Sequence, residues 1–220
     1  MQTQGERIQG CGNSPLDYWR RVWCFLAMFV DPIELIQHWR DEASKAGELD
    51  PDAMALATAS KDGLPSVRIV LFRGVRRGRI CFFTNYQSRK GHELDTNPRA
   101  ALAIHYPSLS RQIRVEGPVE RLLPGESDDY FASRPRGHQV GAWASDQSRT
   151  IPSLEVVRAR VSEQEARFEG IPVVRPPYWG GYGILPEKIE LWTAGLDRIH
   201  DRRLFTRASG AEWVESRLSP

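Results

Sequence analysis

A chain of 220 residues, 40% hydrophobic and 26% charged, has the size and composition of one well-buried globular domain. Its formal net charge of +2 excludes nucleic-acid recognition of the strongly basic kind, so any functional positive charge must be local. The three cysteines, Cys11, Cys24 and Cys81, are odd in number and lack CxxC spacing; this argues against a disulfide framework or a zinc site and suits a reducing cytoplasm.

Residues 1–30 show no regular pattern. Their apolar run Val22–Val30 is too short to cross a membrane and is followed by no small-residue cleavage site. The segment reads as a cytoplasmic N-terminal piece that packs elsewhere, on a partner subunit for example. Residues 31–220 read as one domain. Asp31, Pro32 and Glu34 spell a helix start, and Ile33, Ile36, Trp39 and Ala43 give an apolar stripe ending near Gly47. From Ala53 the period shortens. Strands are expected over 53–60, 66–73 and 79–85, separated by Asp62-Gly63 and Arg77-Gly78. Ser88 caps a short helix that Asn97-Pro98 stops, and strands follow at Ala100–Tyr106 and Gln112–Leu122. Helices are expected over Glu126–Ser133 and Leu154–Phe168, the latter with Leu154, Val157, Val161 and Ala166 at core spacing. The last forty residues read as strands at 181–185, 188–193, 198–207 and 211–218. Strands interrupted by helices in this way indicate an α+β fold with an antiparallel barrel as its core.

Four polar clusters interrupt the apolar pattern. In Arg68–Arg73 the two arginines lie five apart, so an unbroken strand would point them to opposite faces. Next, a strand ending at Thr84 leads to Ser88-Arg89-Lys90 at a helix start. A hydroxyl, two cations and free backbone N–H groups there suit a phosphate, or else form a solvated charged turn. A polar turn over 130–148 carries Tyr130, Arg134, Arg136, His138, Gln147 and Ser148, without catalytic-triad order or metal-ligand spacing. Finally, Arg198, His200 and Arg202 alternate. On one strand face these three would repel one another unless an anion lay opposite, although a solvated edge strand is the alternative.

In this order and spacing, from residue 31 to the terminal RLSP, the clusters resemble the pyridoxamine 5′-phosphate oxidase family. The resemblance implies a split β-barrel that binds FMN at a homodimer interface. It also implies oxidation of pyridoxine or pyridoxamine 5′-phosphate by O2, giving pyridoxal 5′-phosphate and H2O2. Carried over by position, the FMN contacts fall on Arg68, Ile69, Val70, Leu71, Phe72 and Arg73, then on Phe83, Thr84, Arg89 and Lys90. Gln112, Gln147, Ser148, Trp192 and Arg202 complete them. The substrate would meet Arg73, Tyr130, Arg134, His138, Arg198 and His200. Arg198 and His200 would be catalytic by positioning the pyridine ring, since the cofactor performs the redox step. Arg73 stands where the family commonly has lysine, and His138 where a serine often helps hold the phosphate. The family's N-terminal arginine and tyrosine have no secure counterparts among Tyr18, Arg20 and Arg21. Two alternatives share the pattern: a related oxidase of another substrate, as in phenazine biosynthesis, and a non-catalytic flavin- or pyridoxal-phosphate-binding module.

Overall fold

The computed structural model describes residues 31–208 and 210–220; the expectations for residues 1–30 lie outside them. Helix α1 (Pro32–Lys45) starts as the sequence dictates: Asp31 accepts a hydrogen bond from the Ile33 N–H at 2.9 Å, and Ile33, Ile36 and Ala43 are buried. The strands are β1 (Ala53–Ala59), β2 (Pro65–Leu71), β3 (Val75–Arg76), β4 (Arg79–Asn85), β5 (Arg99–Tyr106) and β6 (Arg111–Arg121). After three further helices come β7 (Trp179–Ile184), β8 (Lys188–Thr193), β9 (Asp201–Thr206) and β10 (Val214–Arg217). Helix α2 (Arg89–Thr96) links β4 to β5. Helices α3 (Pro124–Ser133), α4 (Arg136–Ala144) and α5 (Leu154–Arg167) lie between β6 and β7.

All pairings are antiparallel, in the order β10-β9-β8-β6-β5-β1-β2, with β4 pairing β3 and β7, and β7 pairing β6. The long strand β6 organises this curl. Arg111–Glu116 pair with β8, whereas Val119–Arg121 turn to pair with β7. The sheet curls round Met54, Leu56, Ile80, Phe82, Leu102, Ile104, Tyr106, Ile113 and Ile184. Burying such side chains contributes about 1.5–3 kcal/mol each. β2 lies against β4 without pairing to it, so the barrel is split along that seam.

Three expectations need correction. First, β2 ends at Leu71 and the chain bends, Arg73 N–H donating to the Cys81 carbonyl at 2.8 Å. Alternation therefore fails, and Arg68 and Arg73 line one cavity. Second, α5 buries none of its residues: Leu154 is 65% exposed, and Val161 only packs partly against a second cluster of Phe131, Val140, Phe168, Val173 and Trp179. Third, Arg198 and His200 are not strand residues. A 3-10 turn (Leu196–Arg198) intervenes and β9 begins at Asp201.

Candidate active site

The seam holds a cavity of about 870 Å3, lined by β2, the end of β4, the start of α2, Tyr130, Arg134, α4, Gln147, Ser148 and Trp179. That volume suits a cofactor-sized ligand. Arg68, Arg73, Arg89, Lys90 and Arg134 line it together with His138, and no Asp or Glu does. Carboxylates hold Arg68, Arg73 and Arg89 from outside the lining, so five cations face one space that contains no acid, which suits an anion.

The phosphate-like corner is built by the strand-turn-helix over 79–96. Ser88 caps α2, its hydroxyl accepting from the Gly91 N–H at 3.4 Å. Gly91 is required here, because a Cβ would lie 1.9 Å from the Tyr86 carbonyl oxygen. Lys90 Nζ is buried and donates to Thr84 Oγ1 (3.1 Å), Ser88 Oγ (3.1 Å) and Gln147 Oε1 (2.9 Å), all neutral acceptors. Burial, helped by the Arg68 charge, pushes its pKa down to about 8. Behind it, Glu93 ties Arg68 (3.3 Å) and Arg89 (2.9 Å). Burial alone would raise the Glu93 carboxyl, but hydrogen bonds from Ser66, Thr58 and Arg89, with the Arg68 charge, outweigh it and hold the group at about 2. The sequence reading missed Glu93. Its signal was the i,i+4 spacing from Arg89.

The other end is aromatic. Phe83 stacks on Tyr130 with centroids 3.9 Å apart, and Trp179 extends the stack, 5.7 Å from Phe83. Tyr130 Oη accepts from Arg73 Nε at 2.7 Å. Arg134 follows α3 in extended conformation, rather than on one turn with Tyr130, and its guanidinium lies 4.5 Å over Trp179. Its Nη1 is buried without a hydrogen-bond partner among the described residues, and burial lowers its pKa. An unpartnered buried N–H costs about 1–3 kcal/mol and calls for an acceptor. His138 sits exposed on α4, a helix that the sequence reading took for a polar turn. Phe72 is buried in the main core and does not line the cavity, although Ile69, Val70 and Leu71 do.

Gln112, Trp192, Arg198, His200 and Arg202 lie outside that lining and form a group of their own. Gln112 on β6 pairs with Trp192 on β8, which pairs with Arg202 on β9, so the three share one sheet face. His200 tilts against Trp192 at 4.7 Å and accepts from the Gly195 N–H at 3.3 Å. Arg202 is held by Glu190 (2.8 Å) and the Ser219 carbonyl (2.9 Å). β8 and β2 are separated by β6, β5 and β1 in the sheet order, and none of the second group lines the cavity. Within one chain the two groups therefore stand apart.

A split antiparallel barrel with an acid-free cationic cavity at its seam defines a class of phosphate-anchored cofactor proteins. Residues 41–168 match the model of the pyridoxamine 5′-phosphate oxidase family, and residues 179–220 that of the pyridoxine 5′-phosphate oxidase C-terminal dimerisation region. A pyridoxine/pyridoxamine 5′-phosphate oxidase of Rubrobacter xylanophilus is 50% identical over 190 residues, covering 86% of this chain and 87% of its own. One from Zymomonas mobilis is 47% identical over 193 residues, covering 88% and 100%. Among solved structures, PhzG from Burkholderia lata 383, in complex with tetrahydrophenazine-1-carboxylic acid, has a TM-score of 0.83 at 32% identity, covering 88% of this chain and 95% of that one. An FMN-binding protein from Nostoc punctiforme shares the fold, with a TM-score of 0.70 at 16% identity over 88% and 100% of the two chains.

This chain belongs to the pyridoxamine 5′-phosphate oxidase family. It is a split-barrel oxidoreductase with FMN as its cofactor, and it carries the family's C-terminal dimerisation region. No helix among the described residues is long and apolar enough to cross a membrane.

Proposed function

We propose that this enzyme oxidises pyridoxine and pyridoxamine 5′-phosphates to pyridoxal 5′-phosphate, with O2 as electron acceptor and H2O2 as product. The observation that carries the reading is the cavity wall: no carboxylate lines it, Lys90 and Arg134 have no carboxylate partner among the described residues, and Arg134 Nη1 lacks any hydrogen-bond partner there. Two phosphates, one of cofactor and one of substrate, account for cations gathered at both ends. FMN, when bound, would supply the redox chemistry, as acceptor for the substrate's hydride with O2 as the final oxidant. Arg68, Arg89 and Lys90, with the Ser88-capped start of α2, fit its phosphate. Thr84, Gln147 and Ser148 offer neutral hydrogen-bonding groups beside it. Ile69, Val70, Leu71 and Phe83 give it walls. Tyr130, Arg134, Arg73 and His138 take the substrate phosphate.

The second group completes the site in a homodimer, in which Gln112, Trp192 and Arg202 reach the cofactor of the partner subunit. Arg198 and His200 close over the pyridine ring there and orient it. Two features support this. The β2 face at the cavity leaves Val67 and Ile69 70% and 64% exposed, an apolar edge suited to coverage. Four of the second group, Trp192, Arg198, His200 and Arg202, also belong to the stretch that matches the dimerisation region. The chain folds as one domain from residue 31, and its cysteine usage fits a cytoplasmic setting.

A second reading keeps FMN but takes a tetrahydrophenazine carboxylate, as the 32% identical structural relative suggests. The paired cationic ends favour the phosphate substrate. The two are told apart by aerobic turnover of FMN-loaded protein with pyridoxine 5′-phosphate and pyridoxamine 5′-phosphate. Stoichiometric pyridoxal 5′-phosphate and H2O2 are expected; FMN binding without either product would refute the B6-phosphate reading.

Lys90 also sets a pH dependence. Its cationic form binds the phosphate, and its pKa of about 8 means the proton is lost as pH rises past that value. FMN affinity should fall about tenfold from pH 7 to pH 9, with a proton taken up on binding. Fluorescence titration of the apoprotein measures this, and a flat profile would place the phosphate away from Lys90.

A further inference from the structure

We propose that Asp52 is a positioning residue for the substrate, acting through Arg73 to aim the Tyr130 hydroxyl proton into the cavity; this rests on the reading of Tyr130 and Arg134 as the substrate-phosphate end. Asp52 lies just before β1, outside the cavity lining. Its Oδ1 accepts from Arg40 Nε at 2.8 Å and its Oδ2 from Arg73 Nη1 at 2.7 Å. Its carbonyl accepts from the Phe72 N–H at 2.7 Å, which ties its backbone to the residue preceding Arg73. The aspartate is therefore fixed from three directions.

Arg73 inherits that fixity. Nη1 donates to Asp52 and to the Phe72 carbonyl (3.0 Å), and Nε donates to Tyr130 Oη at 2.7 Å. The guanidinium is planar and directional, so the two bonds made by Nη1 set the direction of the third, from Nε. Tyr130 has its ring plane fixed by the stack on Phe83 at 3.9 Å, leaving rotation about the C–O bond as its one freedom. Because its oxygen accepts from Arg73, its own proton must point elsewhere. The other space available is the cavity, where Arg134 presents an unpartnered N–H. A phosphate oxygen is an acceptor and meets two donors there. Without the Asp52 charge, Arg73 is free to turn its fork to the ligand or to solvent, and the Tyr130 proton loses its direction. The Arg40 guanidinium, its pKa raised by hydrogen bonds to Asp52 and Asp41, holds the aspartate in place.

The test is a double-mutant cycle of Asp52→Asn with Tyr130→Phe in FMN-loaded protein, read by KM for pyridoxine 5′-phosphate, by Kd for pyridoxal 5′-phosphate and by FMN affinity. Asp52→Asn is expected to raise KM and Kd about tenfold, one charge-assisted hydrogen bond's worth, with kcat and FMN affinity within about twofold of wild type. In the Tyr130→Phe background the same change should add less than about twofold, because the hydroxyl it orients is gone. An unchanged KM in Asp52→Asn, or the full rise persisting without the hydroxyl, overturns the proposal. Wild-type protein that binds pyridoxal 5′-phosphate without turnover sinks the oxidase reading instead, and the Kd cycle still decides the role of Asp52. Protein that binds none overturns both. Should Asp52→Asn not fold, Asp52→Ser, a smaller neutral replacement, enters the same cycle.

Discussion

Lys90→Ala is expected to raise the dissociation constant for FMN by about 30- to 1000-fold, the 2–4 kcal/mol that follows when one member of a buried charged pair is removed. The side chain is buried, yet its three acceptors are all neutral. A lysine in that position bears the cost of desolvation and the repulsion of Arg68, which the Glu93 charge only partly offsets without pairing to it, and its pKa falls to about 8. Only an incoming anion repays that cost, so the free energy appears as ligand affinity rather than fold stability. Glu93 does not fill the role, since it is engaged by Arg68, Arg89, Ser66 and Thr58. The melting temperature of the apoprotein should hold or rise, because folding no longer buries an uncompensated charge. An FMN affinity within about threefold of wild type, below 1 kcal/mol, would remove Lys90 from the phosphate site.

Arg198→Ala should lower kcat/KM for pyridoxine 5′-phosphate by about 10²-fold or more, the scale of losing substrate orientation, and leave the protein yellow. The backbone gives the reason. Asp197 and Arg198 are consecutive non-glycine residues with φ of 50° and 64°, a left-handed pair costing roughly 1–2 kcal/mol for each residue. The turn is kept in shape by the Ile199 N–H on the Leu196 carbonyl (2.9 Å), the His200 N–H on the Arg198 carbonyl (3.0 Å) and the Gly195 N–H on His200. Gly195 cannot be replaced there, because a Cβ would lie 1.8 Å from the Ile199 carbonyl oxygen. Strain of this kind persists where it serves a site. Leu196 and Ile199, 90% and 71% exposed on either side of Asp197 and Arg198, flank the charged pair at the tip of the loop with apolar side chains. Unchanged turnover would dismiss Arg198 as the orienting group.

Much of the fold was legible because most strands and helices keep their own period. The α1 stripe, the strands 79–85 and 188–193 and the Ser88 cap follow from local rules. What failed lay in an irregular turn, an early strand end and packing that depends on distant parts of the chain. Arg198-x-His200-x-Arg202 alternates like a strand, but the tight Gly195–Ile199 turn interrupts it, and the left-handed residues inside it are Asp and Arg rather than glycine. The apolar spacing of α5 indicated a core face, yet the helix lies outside the main core. Arg68 and Arg73 share a cavity only because the strand between them ends early. The candidate site was legible as cationic clusters, and its division into two groups was not, since separation within one chain depends on sheet order. Glu93 and Asp52, which brace the cations from behind, carried no signal beyond spacing.

The division of the site is tested most directly by combining the two defects. Lys90→Ala and Arg198→Ala chains, co-expressed with different affinity tags and purified in tandem, give a dimer with one defect in each subunit. If each site takes Lys90 from one chain and Arg198 from the other, one of its two sites carries both defects and the other carries none. That dimer should show about half the wild-type turnover at FMN concentrations too low to fill the Lys90→Ala site. If both groups serve the same site within each chain, every site is defective, and turnover no higher than the mean of the two single variants would contradict the account.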